Sequence, residues 1–308
     1  MTARDDWSRR DLLALLGVGG VVFASGLAGC GGAAAAGAPV ATTAGVRPRR
    51  PEEDFFFLQL SDTHWGYQGA ANPEASTTLA HAIATINAVD VKPDFVVFTG
   101  DLTHTTFDAR ERRERMARFK EIVSALGVKD VRFLPGEHDA SIDHGQAYRE
   151  AFGDPHYAFD HKGVHFVALD NVSETGGVIG ESQLAWLAKD VAGVPAETPI
   201  VVLAHRPLFD LYPSWDWATK DGERALRLFG ARDNVTVFYG HIHQEHHKTM
   251  GRIAHHAARS LVFPLPAPGS QPAKTPLPWD PASPDHGIGW RQVALAERTP
   301  RLTEVPFR

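Results

Sequence analysis

Five short clusters hold the side chains best suited to bind cations and move protons: Asp62-Thr63-His64, Gly100-Asp101, Gly136-Glu137-His138-Asp139, Ala204-His205-Arg206 and Gly240-His241-Ile242-His243. Asp62 and His64 are one residue apart, so an extended turn can point both the same way and offer an oxygen and a nitrogen to a single metal ion. His241 and His243 repeat the device. A mixture of carboxylate and imidazole suits Fe, Mn, Zn or Ni better than Ca, which takes oxygen ligands only. With Asp101 available to bridge, two ions roughly 3.5–4 Å apart become possible, the arrangement used for displacement at phosphorus. A lone Asp or His after a strand is more often a turn former than a ligand. The ordered repetition of such residues is what carries the reading.

These clusters need elements that bring them together. Short apolar runs rich in Phe and Val predict strands at 55–60, 94–99, 131–134, 164–169, 200–204 and 235–239, alternating with helical periods at 74–89, 107–126, 180–191 and 221–229. This is the pattern of a layered α/β domain. Each cluster begins where a strand ends, and in open α/β sheets the crevice beyond the strand C-termini is where ligands bind. Glycines at 100, 136 and 240 allow sharp turns there.

Taken in order, DTH, GDLT, GEHD, AH and GHIH resemble the calcineurin-like metallophosphoesterase superfamily. The opening Asp-x-His and Gly-Asp-Leu-Thr are closer to its cyclic-nucleotide phosphodiesterase branch than to purple acid phosphatases. The resemblance implies an α/β fold, a four-layer αββα sandwich of two mixed β-sheets. It implies two divalent or trivalent transition-metal ions, Fe, Mn or Zn, that activate a hydroxide to cleave a small-molecule phosphoester. Asp62, His64, Asp101 and His243 would hold the first ion, and Asp101, residue 137, His205 and His241 the second. His138 would stand beside the leaving-group oxygen, with Asp139 fixing its ring.

The family usually has Asn where this chain has Glu137. Glu adds a negative charge, so a site with two divalent ions and a hydroxide becomes formally neutral and should favour singly charged diesters over dianionic monoesters, or a trivalent ion such as Fe(III). A noncatalytic metal-binding lipoprotein, or a phosphomonoesterase acting on envelope or nucleotide substrates, is the competing reading.

The first residues carry an address. Arg9-Arg10 precede an apolar, Gly-rich run from Leu12 to Gly29 that ends in Leu27-Ala28-Gly29-Cys30. This resembles a twin-arginine export signal closed by a lipobox, with Cys30 as lipid anchor. The alternative is an uncleaved span, for which five glycines make the run weakly apolar. Either way the remainder lies outside the cytoplasm. The divisions are therefore 1–29 leader, 30–53 flexible tether of Ala, Gly, Thr, Pro and Arg, and 54–308 catalytic domain. Cys30 is the only cysteine, which excludes intrachain disulfides and thiolate clusters, and a net charge of −6 argues against nucleic-acid binding.

Other candidates are weaker. His246, His247, His255 and His256 suggest a solvated hairpin, and His104 and His144 flank the site without matching a motif. Trp65, Tyr67, Tyr212, Trp215 and Trp217 could stack a base or simply pack. The Pro-rich run 264–284 reads as a loop, and Arg112, Arg113 and Arg115 as a solvated helix face.

Overall fold

The segment Phe55–Leu60, FFFLQL, shows how the layers arise: as strand β2 it is buried at every position. Strand side chains alternate between faces, so Phe55 and Phe57 enter one apolar layer while Phe56, Leu58 and Leu60 enter another. A strand apolar on both faces must be covered on both sides. The computed structural model that shows this describes residues 54–296 and 299–307, with the backbone of a short strand β1 (Val22–Ala24). Apart from that strand, the expected leader, the tether and Cys30 lie outside the described residues.

In chain order the elements after β2 are α1 (Ala75–Ala88), β3 (Phe95–Thr99), α2 (Ala109–Val123), β4 (Val131–Leu134), α3 (Glu137–Ala140), α4 (Gln146–Phe152), β5 (Tyr157–His161) and β6 (Val164–Ala168). Then come α5 (Glu181–Gly193), β7 (Ile200–Leu203), α6 (Gly222–Leu228), β8 (Val235–Tyr239), β9 (His246–Met250), β10 (Ile253–Ala257), β11 (Gly289–Ala296) and β12 (Thr299–Pro306). They form two six-stranded mixed sheets, ordered β1-β12-β11-β2-β3-β4 and β5-β6-β7-β8-β10-β9. β2, β3 and β4 run parallel, as do β6, β7, β8 and β10.

Three clusters account for the layering. Phe57, Phe95 and Val97 of the first sheet meet Phe166, Val201 and Phe238 of the second. On the outer face of the first sheet, Leu79 and Ile83 of α1 and Met116 and Phe119 of α2 cover Val96 and Phe98. Leu184 and Leu187 of α5 cover Val202 and Val237 of the second. The expected αββα sandwich of two mixed sheets is the fold. Among the described residues no helix is long and apolar enough to cross a membrane.

The predicted strands and helices are present with shifted ends; the long central helix, for instance, starts where the Asp108 side chain accepts hydrogen bonds from the backbone of Arg110 and Glu111. β5, β11, β12, α3 and α4 are additions. The residues of the Pro-rich run 264–284 form no helix or strand and wall a cavity of about 970 Å³ through Pro264, Leu277, Ser283 and Pro284.

Two expectations about solvated residues are corrected. Arg112 is 4% exposed and pairs with Asp143, 2.8 Å away, while Arg115 donates to the His104 carbonyl at 2.8 Å, so α2 braces a loop of the site. β9 and β10 do form a hairpin, but His255 and His256 are buried in it. The His255 ring packs edge-on against Phe209, and neither ring nitrogen has a hydrogen-bond partner. Burial, aided by the charges of Lys248 and His246, pushes its pKa from 6.5 down to about 4.

That depression has a sign. Below pH 6.5 the unfolded chain takes up a proton at His255 that the native state refuses, so stability is lost as pH falls from 6.5 towards 4. At about pH 5 the loss from this residue is about 2 kcal/mol. Urea unfolding of His255→Leu at neutral pH and near pH 5 should show the variant losing correspondingly less stability on acidification; equal losses in the two proteins would refute the assignment.

Candidate dinuclear metal centre

The loops that follow β2, β3, β4, β7 and β8 supply the site. Five of its residues, Asp62, His64, Asp101, His241 and His243, have positive φ between 41° and 67°. Residues other than Gly enter this left-handed region at a cost, and such outliers gather where surrounding structure enforces them. Cross-loop bonds do so here: Asp62 N donates to Gly100 O at 3.0 Å and His64 N to Asp101 O at 2.9 Å. Asp62 and His64 thus reach the same point through a left-handed turn, not the extended one expected from spacing.

Glycine is required by close approach as well as by turning. At Gly100, φ is +95° and a Cβ would stand 2.2 Å from His205 Nδ1. At Gly136, where φ is ordinary, a Cβ would stand 2.1 Å from both the backbone N and Oδ1 of Asp101.

The candidate ligand atoms of the seven expected residues fall into two groups. Asp62, His64 and His243 form one, with His64 Nε2 3.1 Å from His243 Nε2 and His243 Nε2 3.4 Å from Asp62 Oδ1. Asp101, Glu137, His205 and His241 form the other, with His205 Nε2 2.8 Å from Glu137 Oε2 and His241 Nδ1 2.8 Å from Glu137 Oε1. Asp101 Oδ2 joins them, 3.5 Å from His64 Nε2 and 3.3 Å from His205 Nε2. All seven residues expected to bind metal therefore meet.

The chemistry of this donor set fits two transition-metal ions. Asp62, Asp101, His205, His241 and His243 are each at most 5% exposed, and among the described residues the ion-pair partners of Asp62, Asp101 and Glu137 are histidines alone. Buried carboxylates without Lys or Arg call for another source of positive charge. His241 Nε2 is buried with no hydrogen-bond partner. The remaining ring nitrogens are oriented as metal-binding imidazoles require: His205 Nδ1 donates to Thr99 O at 2.7 Å and His243 Nδ1 to Phe263 O at 2.8 Å.

The electrostatics show the same demand. Burial opposes the Glu137 carboxylate, but the charges and hydrogen bonds of His241 and His205 hold its pKa well below the usual value. Burial likewise opposes charge on His205, and the carboxylates of Asp101 and Glu137 outweigh it, raising its pKa well above 6.5. Asp62 is lowered and His243 raised by their mutual pairing against the same opposition from burial.

His138 stands beside this centre, its Nε2 4.0 Å from Asp101 Oδ2 and its side chain 28% exposed. Its backbone N–H donates to Asp101 Oδ1 at 2.9 Å. The ring is fixed by Thr105, whose hydroxyl lies 2.7 Å and whose backbone N lies 3.3 Å from His138 Nδ1. A backbone N–H can only donate, so Nδ1 accepts and Nε2 of the neutral ring carries the proton, facing the site. The part expected of Asp139 therefore falls to Thr105. Asp139 instead accepts from the backbone N–H groups of Leu102, Thr103 and Gly136, clamping the Asp101 loop to the Glu137 loop. Burial, and then the Asp101 charge, push its pKa up to about 6.

His104 joins the site where no motif marked it, its Nδ1 3.3 Å from His64 Nδ1 and its ring stacked on His138 at 5.0 Å. His144 does not; its Nδ1 lies 3.3 Å from Ser173 O. Tyr212, Trp215 and Trp217 pack with Phe209 and Tyr239, whereas Tyr67 leans on His104 and Phe263.

When bound, two ions supply an activated water and offset charge on the phosphoryl oxygens. The chain itself would then contribute ligand orientation through Thr99, Phe263 and His104, and His138 Nε2 is placed where it could give a proton to a departing oxygen.

Residues 57–245 match the calcineurin-like phosphoesterase family. A "Probable cyclic nucleotide phosphodiesterase" of Rhodococcus erythropolis is 28% identical over 69% of this chain and 73% of its own length. A "Probable glycerophosphodiester phosphodiesterase" of Arcobacter nitrofigilis is 28% identical over 61% of this chain and 71% of its own. In fold, the chain is similar to a dimetal phosphatase from Danio rerio, with a TM-score of 0.59 at 15% identity, covering 82% of this chain and 99% of that one. With the site geometry and a family match over most of the described domain, the chain belongs to the calcineurin-like phosphoesterase family and is a metal-dependent hydrolase of phosphoester bonds.

Proposed function

We propose that the enzyme prefers small phosphodiesters to monoesters and works outside the cytoplasm, tethered through a lipid on Cys30. The observation that carries the catalytic reading is the sharing of Asp101 Oδ2 between two groups of ligands. Two relatives named as phosphodiesterases support the diester preference. So does Glu137, which reaches both His205 and His241 and brings to the centre a negative charge that Asn would not.

A unit charge about 4 Å away contributes up to roughly 4 kcal/mol at an effective dielectric near 20. Even a fraction of that decides between a dianion and a monoanion. Glu137→Asn should therefore lower the ratio of bis-p-nitrophenyl phosphate to p-nitrophenyl phosphate turnover by about tenfold. An unchanged ratio with unchanged metal content would dismiss the role given to Glu137.

The metals fitting the carboxylate and imidazole set are Fe, Mn or Zn. The paired arginines, the apolar run and Leu27-Ala28-Gly29-Cys30 support export and lipidation. A substrate outside the cytoplasm follows, so cytoplasmic cyclic nucleotides are not the physiological target. Recovery of the mature protein in a detergent-free soluble extract would sink the anchor.

A further inference from the structure

A second group of ligand atoms lies beyond the dinuclear centre. Glu245, just before β9, His247 on β9 and Glu304 on β12 each offer one atom, all within 4.8 Å of one another. We propose that Glu245, His247 and Glu304 bind a further divalent cation of the zinc class, which ties the second sheet to the first.

The division of labour among the oxygens supports this. Glu245 Oε2 accepts from Arg259 Nη2 at 3.2 Å, while its Oε1 lies 3.1 Å from His247 Nε2. Glu304 Oε1 accepts from Arg291 Nε, while its Oε2 is buried with no hydrogen-bond partner on a side chain only 5% exposed. Each glutamate thus gives one oxygen to an arginine and leaves the other for the ion. A buried carboxylate oxygen left unpaired costs on the order of 1–3 kcal/mol, and a cation removes that cost.

The surrounding contacts match those that metal-binding groups need. The arginines fix the carboxylates and balance their charge. His247 Nδ1 lies 2.7 Å from His256 Nδ1, so His247 can donate through Nδ1 and keep Nε2 for the ion. One imidazole with two carboxylates is a zinc donor set with room for water in the fourth position. Entry is through the cavity of about 970 Å³ that Glu245, His247 and Arg259 line.

The test uses the full chain, saturated with zinc and then desalted. Elemental analysis should find one zinc ion more per chain in the unsubstituted protein than in His247→Gln or Glu304→Gln, with hydrolysis retained in His247→Gln. Equal zinc content in all three overturns the proposal. Should the variants fail to fold, crystals of the unsubstituted protein decide: an anomalous zinc peak about 2.0–2.2 Å from Glu245 Oε1, His247 Nε2 and Glu304 Oε2 is expected. No peak there at saturating zinc overturns the proposal whether or not the dinuclear centre is filled.

Discussion

Asp101→Asn should lower turnover of bis-p-nitrophenyl phosphate by about 10³-fold or more, because charge neutralisation by metal is worth several kcal/mol in the transition state and each 1.4 kcal/mol is tenfold. Asn keeps the volume and can still accept from His138 N through Oδ1, so the loop anchored at 2.9 Å is preserved. What changes is Oδ2, the atom within 3.5 Å of imidazoles in both ligand groups. Elemental analysis of the same sample should show lost metal. Turnover within tenfold of the unsubstituted enzyme, at full metal content, would remove Asp101 from its bridging place.

His138→Gln should separate chemistry from metal binding. His138 Nδ1 is held by Thr105 and its Nε2, though 4.0 Å from Asp101 Oδ2, is not one of the seven expected ligands, so metal content should hold while kcat falls about 10²–10⁴-fold. The loss should be larger for a diester with a poor alkoxide leaving group than for one releasing p-nitrophenolate, which needs little protonation. Thr105→Val, which keeps the backbone donor but removes the hydroxyl at 2.7 Å, should cost about tenfold and follow the same dependence on leaving group. A uniform loss across leaving groups, or equal loss of metal, would assign His138 a structural place.

The layers were legible because the strands are apolar on both faces and the helices on one: Phe55 and Phe57 against Phe56 and Leu58, Met116 and Phe119 against a charged flank. β11 and β12 were not, since β11 carries Arg291 and Gln292, polar by type though buried, and β12 holds Pro300 and Pro306, local signals against a strand. That these seven residues would gather was legible from residue type and order. Their conformation was not, because left-handed φ at Asp62 and His64 depends on hydrogen bonds to Gly100 and Asp101, remote in sequence. The supports of the site escaped for the same reason. Thr99 and Phe263 act through carbonyls common to every residue, and Thr105 is marked only by where its loop folds. His255 shows the converse: polar by type, it was assigned to solvent, and only packing against Phe209 reveals it as core.

The most direct measurement is anomalous diffraction at the iron, manganese and zinc edges from crystals of the protein as isolated. Two peaks are expected, roughly 3.5–4 Å apart, one among Asp62, His64 and His243, the other among Glu137, His205 and His241, with Asp101 between. Crystals that show no metal there, even after soaking in each of the three ions, would contradict the account.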